Sequence, residues 1–147
     1  MINVYEKISE WLSQCPEMGN YVYFNVIPLE PDTSSVNTNS ASMNITEFID
    51  GSKDVRLMFN VNLIKSYDGD GTSDLNIDAT QSFDKIIHFV EQKNNEHDFP
   101  DFGELCIVSE VGAAYKAPEV YLLEDNRDVA RYEGQFYIEY LERRKTE

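Results

Sequence analysis

From Val55 to Leu63 every second residue is apolar: Val55, Leu57, Phe59, Val61 and Leu63. The residues that alternate with them, Arg56, Met58, Asn60, Asn62 and Ile64, are mixed. A period of two puts the first set on one face of an extended strand and the second set on the other. The stretch before it, from Met43, is also rich in strand formers, and "DGSK" at Asp50–Lys53 carries the Asp-Gly signature of a tight turn. Met43–Tyr67 therefore reads as a β-hairpin whose second strand has one wholly apolar face. Such a face must be buried against another layer, while the mixed face suits a sheet covered on one side only.

The same alternation returns at the end of the chain. In Asp128–Arg144, residues Ala130, Tyr132, Gly134, Phe136, Ile138 and Tyr140 share one side, and Arg131, Glu133, Gln135, Tyr137, Glu139 and Leu141 share the other. Further strands are expected at Tyr21–Glu30, Glu104–Tyr115 and Pro118–Asp125, with a turn at Asp125–Asp128. Pro31–Ser42, full of Ser, Asn and Thr, reads as a long surface loop. The cover is supplied by two amphipathic helices. Val4, Ile8, Leu12 and Cys15 make one stripe over Asn3–Cys15, stopped by Pro16 and Gly19. Phe83, Ile86, Ile87 and Val90 make the other over Asp78–Glu96, with Asp78 or Thr80 as the expected cap. The order α-β-β-β-α-β-β-β predicts an α+β two-layer sandwich, a mostly antiparallel sheet with two helices on one face. With 147 residues, 1–147 is expected to form a single domain with a real core.

The chain carries 27 acidic against 12 basic residues, a formal charge of −15. That balance opposes tight nucleic-acid binding, which depends on Lys and Arg displacing counterions from phosphates. It permits a basic partner, or a space through which a polyanion slides without sticking. "MINVYEKISEWL" has charges breaking every apolar run, so no signal peptide is expected, and no apolar stretch approaches a membrane span. Cys15 and Cys106 lack metal-ligand spacing and sit beside apolar residues, as core thiols do. His88 and His97 are nine residues apart with no paired-ligand spacing, so a shared metal is not expected. "YDGDGTSD" offers Asp68, Asp70 and Asp74, but a calcium loop begun at Asp68 needs Gly sixth and Glu twelfth, where Ser73 and Ala79 stand. No nucleophile elbow, phosphate loop or dinucleotide fingerprint is present. The reading is of a protein that is not an enzyme and uses no cofactor. What remains is the mixed face of the sheet. Tyr137, Arg56, Met58 and Glu133 lie there, and aromatic residues and Arg among polar groups suit a contact between protomers.

"FIDGSKDVRLMFNVNLIKSY", then a helix, then "RDVARYEGQFYIEYLE" resembles the minor capsid or tail-completion proteins of long-tailed phages of Gram-positive bacteria, in particular tail terminators. The likeness covers most of the chain in element order. The loops at Pro31–Ser42 and Asp68–Asp74 do not belong to that pattern. The resemblance implies a homo-oligomer, a hexameric ring that caps the tail tube, ends its polymerisation and meets the head connector. DNA would pass through the ring without specific binding. It implies no cofactor and no membrane, and a place in the virion after assembly in the host cytoplasm. Two alternatives share the composition: an acidic immunity or inhibitor protein that neutralises a basic toxin, and a metal-dependent hydrolase built on Asp68, Asp70 and Asp74.

Overall fold

A computed structural model describes residues 4–19, 21–40, 42–71, 74–123 and 128–144. The elements, in chain order, are α1 (Val4–Leu12), a 3-10 turn (Pro16–Met18), β1 (Val22–Phe24), β2 (Thr33–Thr38), β3 (Met43–Glu47), β4 (Lys53–Ser66), α2 (Leu75–Glu96), β5 (Cys106–Ala113), β6 (Glu119–Leu122) and β7 (Val129–Glu142). Seven strands form one sheet, and the two helices lie on a single face of it, so the fold is an α+β sandwich.

β4 and β7 are the spine. They pair antiparallel over their whole length, from Lys53 opposite Glu142 to Ser66 opposite Val129. Because directly opposed residues share a face, Val55, Leu57, Phe59, Val61 and Leu63 line up with Tyr140, Ile138, Phe136, Gly134 and Tyr132. This is the apolar face read from the alternation. Ile8, Trp11 and Leu12 of α1 and Phe83, Ile86, Ile87 and Val90 of α2 pack against it in one core. Phe136 stacks on Phe59 with ring centres 5.8 Å apart and meets Phe83 at 6.2 Å. Trp11 ties the helical layer together: its ring lies 5.6 Å from Phe89, and its indole N–H donates to the Asp98 carbonyl at 2.8 Å.

The remaining strands fill the two flanks of the spine. β2 pairs with the Phe59–Ile64 end of β4, β3 with its Lys53–Arg56 end. β6 pairs with the Val129-proximal end of β7 and β5 with its Glu142 end. The expected hairpin is present as β3–β4. Its turn is locked by Asp50, whose carboxylate accepts from the Ser52 N–H at 2.9 Å and the Ser52 hydroxyl at 2.6 Å.

Four expectations need correction. Pro31–Ser42 is not a surface loop: it contains β2, with Ser34, Ser35 and Val36 buried between β1 and β4. The polar composition misled because the Ser34 hydroxyl is satisfied inside the fold, by the Met18 carbonyl. Tyr21–Glu30 shrinks to the short β1, and β1 is parallel to β2. A parallel neighbour cannot be reached by a tight turn, so residues 25–32 make a longer return connection between the two strands. Third, α2 starts at Leu75 with Asp74 at the cap position; Thr80 lies inside the helix, its hydroxyl donating to the Asn76 carbonyl at 3.0 Å. Fourth, α1 ends at Leu12, and Cys15 instead opens the 3-10 turn at Pro16. The turn expected at Asp125–Asp128 lies outside the described residues apart from Asp128, and Asn3 lies outside them too.

Candidate functional site

The second face of the sheet carries the residues singled out for a protomer contact. Register brings three of them together. Met58 is directly opposite Tyr137, and the Arg56 guanidinium lies 4.9 Å from the centre of the Tyr137 ring. Arg56 also donates through Nε to the Glu139 carboxylate at 2.9 Å, and that hydrogen bond raises its pKa further. The Tyr137 ring lies flat on Gly112 of β5; a Cβ at Gly112 would fall 2.7 Å from the phenol oxygen. Burial pushes the Tyr137 phenol up, and the Glu110 carboxylate adds to the effect. Glu133 is four residues away along β7, opposite Asn62, and pairs with Arg131 at 3.8 Å. The expected patch is thus a compact Arg56–Met58–Tyr137 cluster with Glu133 outside it.

This face is less open than its composition implied. Ser35, Asn62 and Ile64 are fully buried there. Ser35 and Asn62 are register partners, and Glu133 continues the row across β7. Among the described residues, the Ser35 hydroxyl and both amide atoms of Asn62 have no hydrogen-bond partner. Sequence reading missed this polar row, because Ser35 lies in the segment taken as a loop.

The edges of the sheet are more exposed than its face. On one flank, β1 and β3 leave Tyr23, Phe24, Met43 and Ile45 exposed, and Tyr21 just before β1 is exposed beside them. On the opposite flank, β6 and β5 leave Val120, Leu122 and Ile107 exposed. Each of these four short strands pairs with one neighbour only among the described residues. The free edge of β5 is partly closed by α2, where Asn94 accepts from the Val111 N–H at 3.0 Å.

The other candidates fall elsewhere. The Asp68 carboxylate accepts the Asp70 N–H at 3.0 Å, and the Asn76 amide brackets the Asp68 backbone at 2.9 Å on both sides. No group of three or more potential metal ligands converges among the described residues. His88 stands exposed on α2, 3.4 Å from Asp84. His97 closes α2 in a left-handed conformation with its ring edge on Phe99. Cys15 and Cys106 are both free, the first buried and the second half-buried. No described helix is long and apolar enough to cross a membrane. No protein-family model matches the chain, and a search of curated proteins returns no match.

Proposed function

We propose that this protein is a tail terminator: a structural subunit that closes into a ring on the end of a phage tail tube, stops its growth and joins it to the head connector. One observation carries the reading. The sheet ends on both flanks in strands that pair on one side only among the described residues and carry exposed apolar side chains, Tyr23, Met43 and Ile45 on one side and Val120, Leu122 and Ile107 on the other. An open strand edge is a template for pairing with another chain. Two different edges on opposite flanks favour a head-to-tail contact, and a repeated head-to-tail contact closes into a ring when the rotation allows it. The formal charge of −15 supports the same reading, since a lumen rich in carboxylates repels phosphates and lets DNA slide. The resemblance of its sequence pattern to tail-completion proteins, around the Asp50–Lys53 turn and the Ala130–Leu141 strand, is a further ground for the reading.

The test is deletion of the gene in a phage that carries it, followed by electron microscopy. Tails of uncontrolled length and heads without tails are expected, with rescue by the intact gene. Normal tails of regular length on filled heads after deletion would overturn the proposal.

A further inference from the structure

Ten described residues are Lys or Arg. Seven of them, Lys7, Arg56, Lys65, Lys85, Lys93, Lys116 and Arg131, are ion-paired. In a chain with 27 acidic residues that is unsurprising. The other three, Lys53, Arg143 and Arg144, make no ion pair among the described residues, and all three line one cavity of about 800 Å³. The cavity sits at the hairpin end of the spine, between the β3–β4 turn, the end of β7 and the start of β5. Its walls are mostly apolar, from Val4, Phe102, Leu105 and Cys106. Glu104 and Glu142 also line it, which leaves the lining net positive on a strongly negative molecule. The Arg144 side chain lies against Gly51 of the turn, and the Arg143 N–H donates to the Leu105 carbonyl at 2.7 Å, so Arg143 and Arg144 are anchored at the cavity mouth.

We propose that this cavity docks an acidic, apolar segment of a partner protein. The segment's carboxylates meet Lys53, Arg143 and Arg144, where the guanidinium forks favour paired hydrogen bonds. An apolar side chain enters between Phe102 and Leu105. The apolar surface argues for a peptide over a small anion, because it runs on past the cavity: Phe48 and Ile49 on the turn, Leu105 just before β5 and Ile107 on β5 are all exposed. A small anion would leave that rim wet, whereas a peptide segment covers it and excludes water from the charged pairs. The chain's overall charge repels an acidic partner at range, but that field is screened beyond about 8 Å at physiological ionic strength, and the local cations decide the contact. This inference does not depend on ring formation; it concerns the end of the sheet, not its flanks.

Cys106 supplies a direct readout, since it lines the cavity while Cys15 is buried away from it. The experiment pans a random-peptide display library on the intact protein, then measures binding of the selected peptides and their protection of Cys106 from a maleimide. Peptides combining Asp or Glu with Leu, Ile or aromatic residues are expected to be enriched and to slow Cys106 labelling. They should bind at least about tenfold more weakly to the Lys53→Glu/Arg143→Glu/Arg144→Glu variant. Should that variant melt abnormally, the triple Gln variant, which removes charge without reversing it, is read in its place. Selection without an acidic-apolar consensus, or equal binding to the charge variants, overturns the proposal. So does full competition by dodecanoate, which would make the site one for small amphipathic anions. Concentration-dependent protection of Cys106 by the protein alone overturns it too, by making the occupant a second copy.

Discussion

At the residue scale, the consequences of burial are sharpest at Phe59 and Cys15. Phe59 is almost fully buried, stacked on Phe136 at the centre of the spine. Phe59→Ala should cost about 3–5 kcal/mol, as large-to-small truncations in a packed core do. Denaturant melts check this, and a loss below about 1 kcal/mol would contradict the placement of the core face. Cys15 is a different case. Burial pushes its thiol up to about 11, and the thiol donates to the Glu17 carboxylate at 3.3 Å, which also favours the neutral form. Its pKa is thus higher folded than unfolded. The folded state holds the proton more tightly, so the stabilisation is complete below the unfolded value near 9 and is lost as pH rises toward 11. Melting temperature should therefore fall across that window, and the fall should be smaller in Cys15→Ala. Below it, Cys106 should be the thiol that reacts with maleimide, and Cys15 should stay silent in the native protein.

At the element scale, two glycines separate a packing demand from a loop preference. Gly134 sits in β7 where a Cβ would lie 2.5 Å from the Phe83 ring, so α2 approaches the sheet there only because no side chain intervenes. Gly69, after β4, has no atom within 4 Å of its would-be Cβ. Gly134→Ala should destabilise by about 1–3 kcal/mol through overpacking. Gly69→Ala should move stability by no more than about 0.5 kcal/mol, as surface changes away from special features do. Equal effects in parallel thermal melts would mean that α2 shifts to absorb the Cβ. Another element-scale expectation concerns the loop Asp68–Asp74. Asp68 is already engaged by Asp70 and Asn76 backbone and amide groups. Calorimetric titration should find no stoichiometric calcium binding tighter than about 100 µM, because the turn glycine at the sixth position of a calcium loop and the bidentate Glu at the twelfth are absent.

At the scale of the whole molecule, the proposed ring makes the second face and the flanks experimentally separable. Tyr137 lies over Gly112 and under the Arg56 guanidinium, half-buried in the monomer. Tyr137→Ala should leave a folded monomer by circular dichroism. If the Arg56–Tyr137 cluster anchors a protomer contact, truncation should weaken it by about 2 kcal/mol or more. Particles assembled with this variant alone should then show irregular or unattached tails by electron microscopy. Regular, attached tails would make Tyr137 dispensable and leave the flank edges as the sole candidates for closure.

How much of this was legible in the sequence depends on what periodicity encodes. Alternation states which residues share a face, so the core faces of β4 and β7, the helical stripes and the Asp50–Lys53 turn were all readable from Val55–Leu63, Ala130–Tyr140 and the two amphipathic segments. The α+β class followed from their order. Alternation does not state which strand lies beside which. The full-length pairing of β4 with β7 joins residues more than sixty positions apart, and only the tertiary fold selects it. β2 was hidden for a related reason. Thr33–Thr38 has the composition of a loop, and becomes a strand because the Ser34 hydroxyl donates to the Met18 carbonyl while β1 and β4 pair its backbone and bury Val36. The cationic cavity was equally invisible. Lys53 stands ninety residues before Arg143, and a sequence counts charges without showing which of them have found a partner. That is settled by distance in three dimensions, since a carboxylate compensates a cation only when the fold brings the two together.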